Sequence, residues 1–224
     1  MTIQASFGFN SKEVLMYHIS ASLNGLGRML HWFLLATLPF LSACASFYVD
    51  GNAPEIPVTQ YKKPTEALNV QLVWEFQTEG VANTQATQAL QARVHEQIVA
   101  SGLFAKVSDK PVAGSALLAI TVNNVPLTDM DDALGKGFVT GLTFGLAGTT
   151  VADGYECTLR YTSGNGSSPP LTYSGKHAIH TTFGTGSPPP GVHKASNADE
   201  AVFLMLRQVI SRALNDLSQD PSFP

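Results

Sequence analysis

Three histidines in the second half of the chain, His177, His180 and His193, are the side chains best suited to bind a metal ion. A zinc site needs three or four such ligands converging on one point. Residues three apart on a strand point to opposite faces of the sheet, so His177 and His180 would not converge. His193 could approach either of them, but no cysteine or carboxylate cluster accompanies it. The pattern therefore predicts solvated or hydrogen-bonded histidines and no metal site.

Glycine is dense in residues 135–154, which read GKGFVTGLTFGLAGTTVADG. Gly135, Gly137 and Gly141 raise the possibility of a phosphate-binding loop. A dinucleotide-binding loop follows a strand and opens a helix, whereas the residues after this segment lead towards another strand. A Walker loop ends in Gly-Lys-Ser/Thr, and here Lys136 lies between glycines. We therefore do not expect nucleotide binding.

Three acidic residues, Asp129, Asp131 and Asp132, directly precede this segment. They could bind a cation or form a solvated turn, but an EF-hand would need ligands spread over about 12 residues ending in glutamate. Nucleophilic catalysis lacks support as well, because the chain has no Gly-x-Ser-x-Gly elbow and Cys157 lies within an expected strand. We therefore expect no catalytic residues, no metal and no cofactor, and the protein is not expected to be an enzyme.

An apolar run over residues 32–41 follows Arg28 and is about ten residues long. That is the length of the hydrophobic region of a signal peptide and too short for a membrane-spanning helix. The run ends in a bulky residue, two small residues and a cysteine: Leu41, Ser42, Ala43 and Cys44. The alternative is a chance Leu-Ser-Ala-Cys sequence at the edge of a buried helix.

This order of basic residue, apolar run and small residues before Cys44 resembles the lipobox of bacterial lipoproteins. In that family the cysteine thiol is acylated with diacylglycerol and the signal peptide is cut directly before it. The resemblance implies a signal peptide over residues 1–43, with Met16 or Met29 as alternative starts, and a lipidated cysteine at Cys44. Cys157 would then have no intramolecular partner and should be a free, buried thiol.

The residues after the cysteine bear on the choice of membrane. In enterobacterial lipoproteins an aspartate at the first of these positions retains the protein at the inner membrane, and here Ala45 and Ser46 follow. The resemblance therefore implies an outer-membrane location on the periplasmic face. Residues 45–66 contain Pro54, Pro57 and Pro64 and no apolar period. With Cys44 they are expected to form a lipidated tether over residues 44–66 that gives the domain reach.

Residues 67–220 carry alternating strand and helix signals. Residues 68–76 alternate as a strand, and residues 83–104 follow as a helix with a stripe at four-residue spacing. Gly102 suits its left-handed end. Strands are expected near residues 105–108 and 115–127, followed by a hairpin of residues 155–164 and 171–184. A last helix begins at a capping box of Asn197 and Glu200 and ends before Pro221.

This order of elements predicts an α+β domain. Each helix has one apolar stripe, so both helices should cover one face of a mainly antiparallel sheet of four or five strands. The result is a two-layer sandwich of residues 67–220 with an apolar, glycine-rich hairpin inserted over residues 137–151. As an order of elements, the whole resembles the small periplasmic lipoproteins of Gram-negative bacteria. Several of these have a fold similar to the lipopolysaccharide-assembly lipoprotein.

The inserted segment 137–151 is the most particular part of the chain. Leu142, Phe144 and Leu146 alternate with small residues, as in a strand, and Phe138 is a further large apolar residue before them. The hairpin could pack on its own domain, or it could project and contact lipid or a partner, as exposed apolar patches do. Two short arms cannot span a bilayer core of about 30 Å.

These patterns favour a non-enzymatic envelope scaffold over other function classes. The membrane would be contacted through the lipid anchor, and an envelope protein would be bound through the 137–151 hairpin or through an exposed sheet edge. The alternative is a carrier that holds a lipid or small amphiphile between sheet and helices. A net charge of −4 argues against nucleic-acid binding, which needs a basic face.

Overall fold

The computed structural model describes residues 45–66, 68–126, 148, 150–166 and 168–224. Eight strands are found there: β1 (Ala45–Asp50), β2 (Leu68–Thr78), β3 (Val81–Ala82), β4 (Phe104–Ser108), β5 (Ala116–Pro126), β6 (Thr150–Thr162), β7 (Leu171–Phe183) and β8 (Val192–Ala195). The two α-helices are α1 (Thr84–Ser101) and α2 (Ala198–Gln219), and a 3-10 helix spans Val58–Gln60.

The strands form one mixed sheet in the order β3-β2-β5-β6-β7-β1-β8, with β4 also paired to β2. The pairs β2–β5 and β2–β4 are parallel, and the other pairings are antiparallel. The predicted α+β class and the two helices are confirmed, but the prediction of four or five strands is too small. The missed strands β1, β3 and β8 are six residues or fewer, too short to show a clear alternating pattern.

Alternation along the central strands separates a core face from an open face. The inward-facing positions of four adjacent strands stand in register. One such row joins the buried Trp74, Ile120 and Leu159 to the half-buried Tyr173. Leu72, Leu118 and Leu159 are at most 2% exposed, whereas Val73, between two buried residues of β2, is 44% exposed. Large apolar side chains on one face therefore create the surface that the helices cover.

Both helices pack on the core face. The indole Nε1 of Trp74 donates a hydrogen bond to the Thr87 carbonyl of α1. On β7, a Cβ added at Gly175 would lie 3.3 Å from Val209 Cγ2 of α2. Gly175 shares its register row with the buried Cys157 of β6, so α2 lies on the same side as α1. This arrangement fits the predicted two-layer sandwich.

The helix ends follow the sequence signals closely. Asn83 Oδ1 accepts a hydrogen bond from Ala86 N at the start of α1, and Gly102 ends that helix in the left-handed region at φ 64°. In α2, Asn197 Oδ1 accepts from Glu200 N, while Glu200 Oε2 accepts from Ser196 N. These reciprocal bonds are close to the predicted capping box, shifted by one residue on the second bond.

Residues 45–66 are part of the folded domain, which corrects the expectation of a tether over residues 44–66. β1 lies between β7 and β8, and its Val49 is fully buried. We call residues 51–66 the strap, because they run from β1 across α2. Tyr61 Oη donates to the Ser211 carbonyl of α2, and Lys63 Nζ donates to the Ser101 carbonyl at the end of α1. The domain therefore begins at β1 and not at residue 67.

Candidate functional site

The predicted lipidation site adjoins the sheet directly. Cys44 and the lipobox residues Leu41, Ser42 and Ala43 lie outside the described residues, so lipidation stays a prediction. Ala45, the next residue, is the first residue of β1 and pairs with Phe183 at the end of β7. Any group attached at Cys44 is therefore one residue away from a hydrogen-bonded strand.

The glycine-rich segment lies in the sequence between β5 and β6, at residues 127–149. Its expected contact residues Phe138, Leu142, Phe144 and Leu146 lie outside the described residues, and the hairpin stays a prediction. Both flanks are described: β5 ends at Pro126, and β6 begins at Thr150. The last residues of the expected hairpin, Thr150 and Val151, belong to β6 and not to an inserted arm.

The strand register places these points together. Thr150 pairs with Thr182, one residue before Phe183, while Pro126 pairs with Asp153 near the start of β6. We call the end of the sheet at which Ala45, Pro126, Thr150 and Phe183 lie the Ala45 end. The predicted anchor and both flanks of the glycine-rich segment therefore lie at one end of the sheet.

A tight turn between β2 and β3 also lies at the Ala45 end, since Thr78 pairs with Asn124 of β5. Glu79 and Gly80 adopt positive φ values of 52° and 77° in this turn. The amide of Glu79 donates to the Asn124 carbonyl, and the next residue of β3, Val81, is 70% exposed. The turn thus presents an apolar side chain to the surroundings.

Two ionisable groups near this end have pKa values raised by burial. Desolvation raises the pKa of the Asp153 carboxyl, although a hydrogen bond from Asn124 acts in the opposite direction. Burial, with a smaller effect of the Asp153 charge, raises the pKa of Tyr155 well above its usual value. Both shifts favour the uncharged form.

The histidines do not form a metal site among the described residues, where no group of three potential ligands comes together. His177 is buried opposite Tyr155, while His180 pairs with Tyr48 and lies on the open face, as the spacing predicts. His177 Nδ1 accepts a hydrogen bond from the Ala178 amide, and its Nε2 is buried without a partner. His193 pairs with Val49 of β1.

Cys157 is a free thiol and is 1% exposed, as the sequence predicts. Burial raises the pKa of the Cys157 thiol to about 12, so the thiolate is disfavoured at neutral pH. Cys157 is therefore a core residue and not a nucleophile.

The two edges of the sheet offer little for strand addition. β8 has four residues, and its central His193 and Lys194 are exposed. On the other side, Thr87 Oγ1 of α1 accepts from the Phe76 amide of β2, which satisfies a donor on the outer side of that strand. Short edges with charged residues, and edges covered by a helix, resist pairing with another chain. A partner is therefore less well accommodated at a sheet edge, one of the two predicted contacts, than at the Ala45 end.

A cleft between the first halves of α1 and α2 bears on the predicted carrier function. It has a volume of about 290 Å³, and Leu90, Arg93, Asp199 and Val202 line it. The guanidinium of Arg93 lies 4.5 Å from the ring centroid of Phe203. This volume is at the low end of small-molecule sites, which span roughly 300–1,000 Å³. The cleft could hold part of a small amphiphile but not a two-chain lipid.

Sequence patterns could have revealed some of what was missed. Phe47, Tyr48 and Val49 are consecutive residues of high strand propensity, which is a signal for β1. The strap carries no such signal, because its contacts with Ser211 and Ser101 join residues far apart in the chain.

Neither helix of the described residues has an apolar stretch long enough for a membrane crossing. Comparison with protein-family models and with curated proteins gives no match. Among solved structures, a dodecameric PelC variant from Paraburkholderia phytofirmans is similar over 80% of this chain and 99% of its own, with 11% identity and a TM-score of 0.33.

Two further similar structures are lipoproteins by name. Lipoprotein GNA1162 from Neisseria meningitidis is 12% identical over 68% of this chain and 99% of its own, with a TM-score of 0.34. A minor lipoprotein from Acinetobacter baumannii is 13% identical over 70% of this chain and 88% of its own, with a TM-score of 0.27. These values describe a loose similarity of the backbone and do not bear on activity.

Proposed function

We propose that this protein is a non-enzymatic lipoprotein of the bacterial envelope, held by a lipid on Cys44 and acting as a scaffold at the membrane surface. The observation that carries the proposal is the pairing of Ala45 with Phe183, at the sheet end where β5 ends and β6 begins. The lipid anchor and both flanks of the glycine-rich segment would then lie at the same end of the sheet.

The short distance between anchor and fold gives the domain an orientation. Adjacent Cα atoms are about 3.8 Å apart, and Ala45 is already bonded into the sheet. A diacylglycerol group on Cys44 would therefore hold the Ala45 end close to the lipid head groups. A flexible tether would instead let the domain rotate freely. Residues 51–66 are not such a tether, because the strap is bound to α2 and α1.

The Ala45 end has features suited to contact with a membrane or a membrane protein. Val81 is 70% exposed on the turn beside β5. In the sequence, Phe138 and Phe144 come between β5, which ends at this end of the sheet, and β6, which begins there. An apolar projection at this point would meet lipid or a partner. Apolar groups at an interface gain free energy when they leave water. We place the protein at the outer membrane, on its periplasmic face, because Ala45 and Ser46 follow the cysteine.

Photo-crosslinking in intact cells tests the orientation and the contact together. A photoreactive residue replaces Val81, Phe144 or Val112 in separate variants. Val112 is the matched control, since it is 46% exposed but precedes Ala116, which begins β5 at the opposite end of the sheet. We expect lipid or one discrete protein adduct from Val81 and Phe144, and no lipid adduct from Val112.

The anchor is checked in the same cells with Cys44→Ala, which should accumulate as an uncleaved, unacylated precursor. Equal lipid labelling from Val81 and Val112 would contradict the orientation. Acylated, mature protein in the Cys44→Ala strain would contradict the anchor.

A further inference from the structure

β1 is an interior strand that begins one residue after the predicted lipidation site. It pairs with β7 over Ala45–Val49 and with β8 over Phe47–Asp50, and both pairings are antiparallel. The strand therefore cannot leave the sheet without breaking two ladders of backbone hydrogen bonds. A segment that served only as a tether would need neither pairing.

The side chains of β1 add packing to this pairing. Val49 is fully buried, and the half-buried Phe47 packs against the same core. Val49 lies opposite Ile179 of β7, and Phe47 lies opposite Ala195 of β8. Because protein interiors are close-packed, movement of β1 along its own axis would carry both side chains out of their places in the core.

The strap holds the other end of β1. The Gly51 amide donates to the Gly191 carbonyl at 2.9 Å, and an ideal Cβ at Gly51 would lie 2.4 Å from the same oxygen. A side chain at Gly51 would therefore push the strap away from the residue before β8. Further along, the Ile56 amide donates to Ser211 Oγ at 2.9 Å, and Tyr61 Oη donates to the Ser211 carbonyl at 3.1 Å.

Lys62 and Lys63 extend the strap to the last turns of both helices. The Lys62 amide donates to Ser218 Oγ of α2 at 3.2 Å, and Lys63 Nζ donates to the Ser101 carbonyl of α1 at 2.7 Å. A pull on Ala45 is therefore transmitted through β1 to β7 and β8, and through the strap to both helices.

The direction of such a pull decides how these contacts resist it. β1 runs from the Ala45 end towards the opposite end of the sheet, alongside β7. Under the proposed function the lipid holds the Ala45 end at the membrane, so a force that draws the opposite end away acts along β1. The hydrogen bonds of an antiparallel pair lie perpendicular to the strands. A pull along the strand loads these bonds together, whereas a pull across the strand opens them one after another.

We propose that β1 and the strap form a mechanical clamp, through which the protein carries tension between a lipid on Cys44 and a partner that holds the domain farther from the membrane. The inference rests on the proposed function for the lipid on Cys44 and adds a mechanical role to the scaffold. The clamp distributes tension over two ladders, a buried strand face and the strap.

Optical-tweezers measurements on the full chain test the clamp by pulling in two directions. The chain is made without acylating enzymes, and one DNA handle is attached to the Cys44 thiol, while the buried Cys157 takes no handle. The second handle is attached through Ser168→Cys, in the exposed loop before β7 at the opposite end, or through Thr185→Cys, just after β7 at the Ala45 end. The first combination pulls β1 along β7, and the second peels β1 from β7, starting at the Ala45 end.

We expect the rupture that releases residues 45–66 to need at least about twofold more force along the strand than across it, because several backbone hydrogen bonds then resist together. Tyr61→Phe, which removes the hydrogen bond to the Ser211 carbonyl, should lower the force along the strand and leave the force across it unchanged. The reason is that the strap is dragged only when β1 slides. Val58→Ala is the matched control, because Val58 lies in the strap but is 43% exposed, and it should change neither force.

Equal rupture forces in the two directions overturn the proposal, and so does a Tyr61→Phe variant that weakens both directions alike. The comparison of directions uses only exposed attachment points, so it stands even if Tyr61→Phe fails to fold. No lipid is needed for these measurements. The Cys44→Ala experiment therefore judges the anchor, and the two pulling directions judge the clamp separately.

Discussion

Replacing Val49 with alanine tests whether residues 45–66 belong to the folded domain. Val49 is 0% exposed in β1, so the change removes two buried methyl groups. Transfer at about 0.8 kcal/mol per group, plus the cavity left behind, gives a loss of about 2–3 kcal/mol in the free energy of unfolding. In a domain of this size that is about 4–12 °C in melting temperature.

Val58→Ala is the matched control, since Val58 lies in the strap but is 43% exposed. Its effect should stay within about 0.5 kcal/mol. Urea unfolding followed by circular dichroism measures both variants under the same conditions. A tether would make the two changes equally silent, so indistinguishable midpoints for Val49→Ala and Val58→Ala would refute the placement of β1.

Three further predictions concern single groups. Because burial raises the pKa of Asp153, this group should cost the folded protein stability as pH rises from about 4 through the folded-state pKa. Asp153→Asn should therefore be more stable than the parent at pH near 7 but not at pH near 3. An equal difference in stability at both pH values would contradict this. Cys157, with a pKa of about 12 and 1% exposure, should resist iodoacetamide at about pH 8 in the native state and react in urea, as mass spectrometry can show; modification of native protein would count against its burial. Glu79→Gly should raise the free energy of unfolding by about 0.5–1 kcal/mol, since Glu79 has φ 52°, whereas Gly80→Ala should lower it; urea midpoints moving in the same direction would contradict the turn geometry.

Long periodic segments made most of the fold predictable. The stripe of α1 and its caps at Asn83 and Gly102 are local signals, and the structure uses them as expected. The same is true of Asn197 and Glu200 in α2 and of the β6–β7 hairpin. In each case the residues that specify the element lie within a few positions of one another.

The missed parts depend on contacts between distant residues. β1 is stable because β7 and β8 flank it, and nothing near Ala45 in the sequence reveals those neighbours. Prolines such as Pro54 and Pro57 favour an extended chain, which the tether and the strap share.

The position of β1 has a consequence for the order in which the chain can fold. Its partners β7 and β8, and the helix α2 that the strap crosses, all come from the last quarter of the chain. The first residues after Cys44 can therefore complete their strand only after nearly the whole polypeptide has left the ribosome. Closing so long a loop is slow, so β1 joins the sheet late. Under the proposed function, this delay would leave the start of the chain open to the enzymes that acylate Cys44 and cut before it.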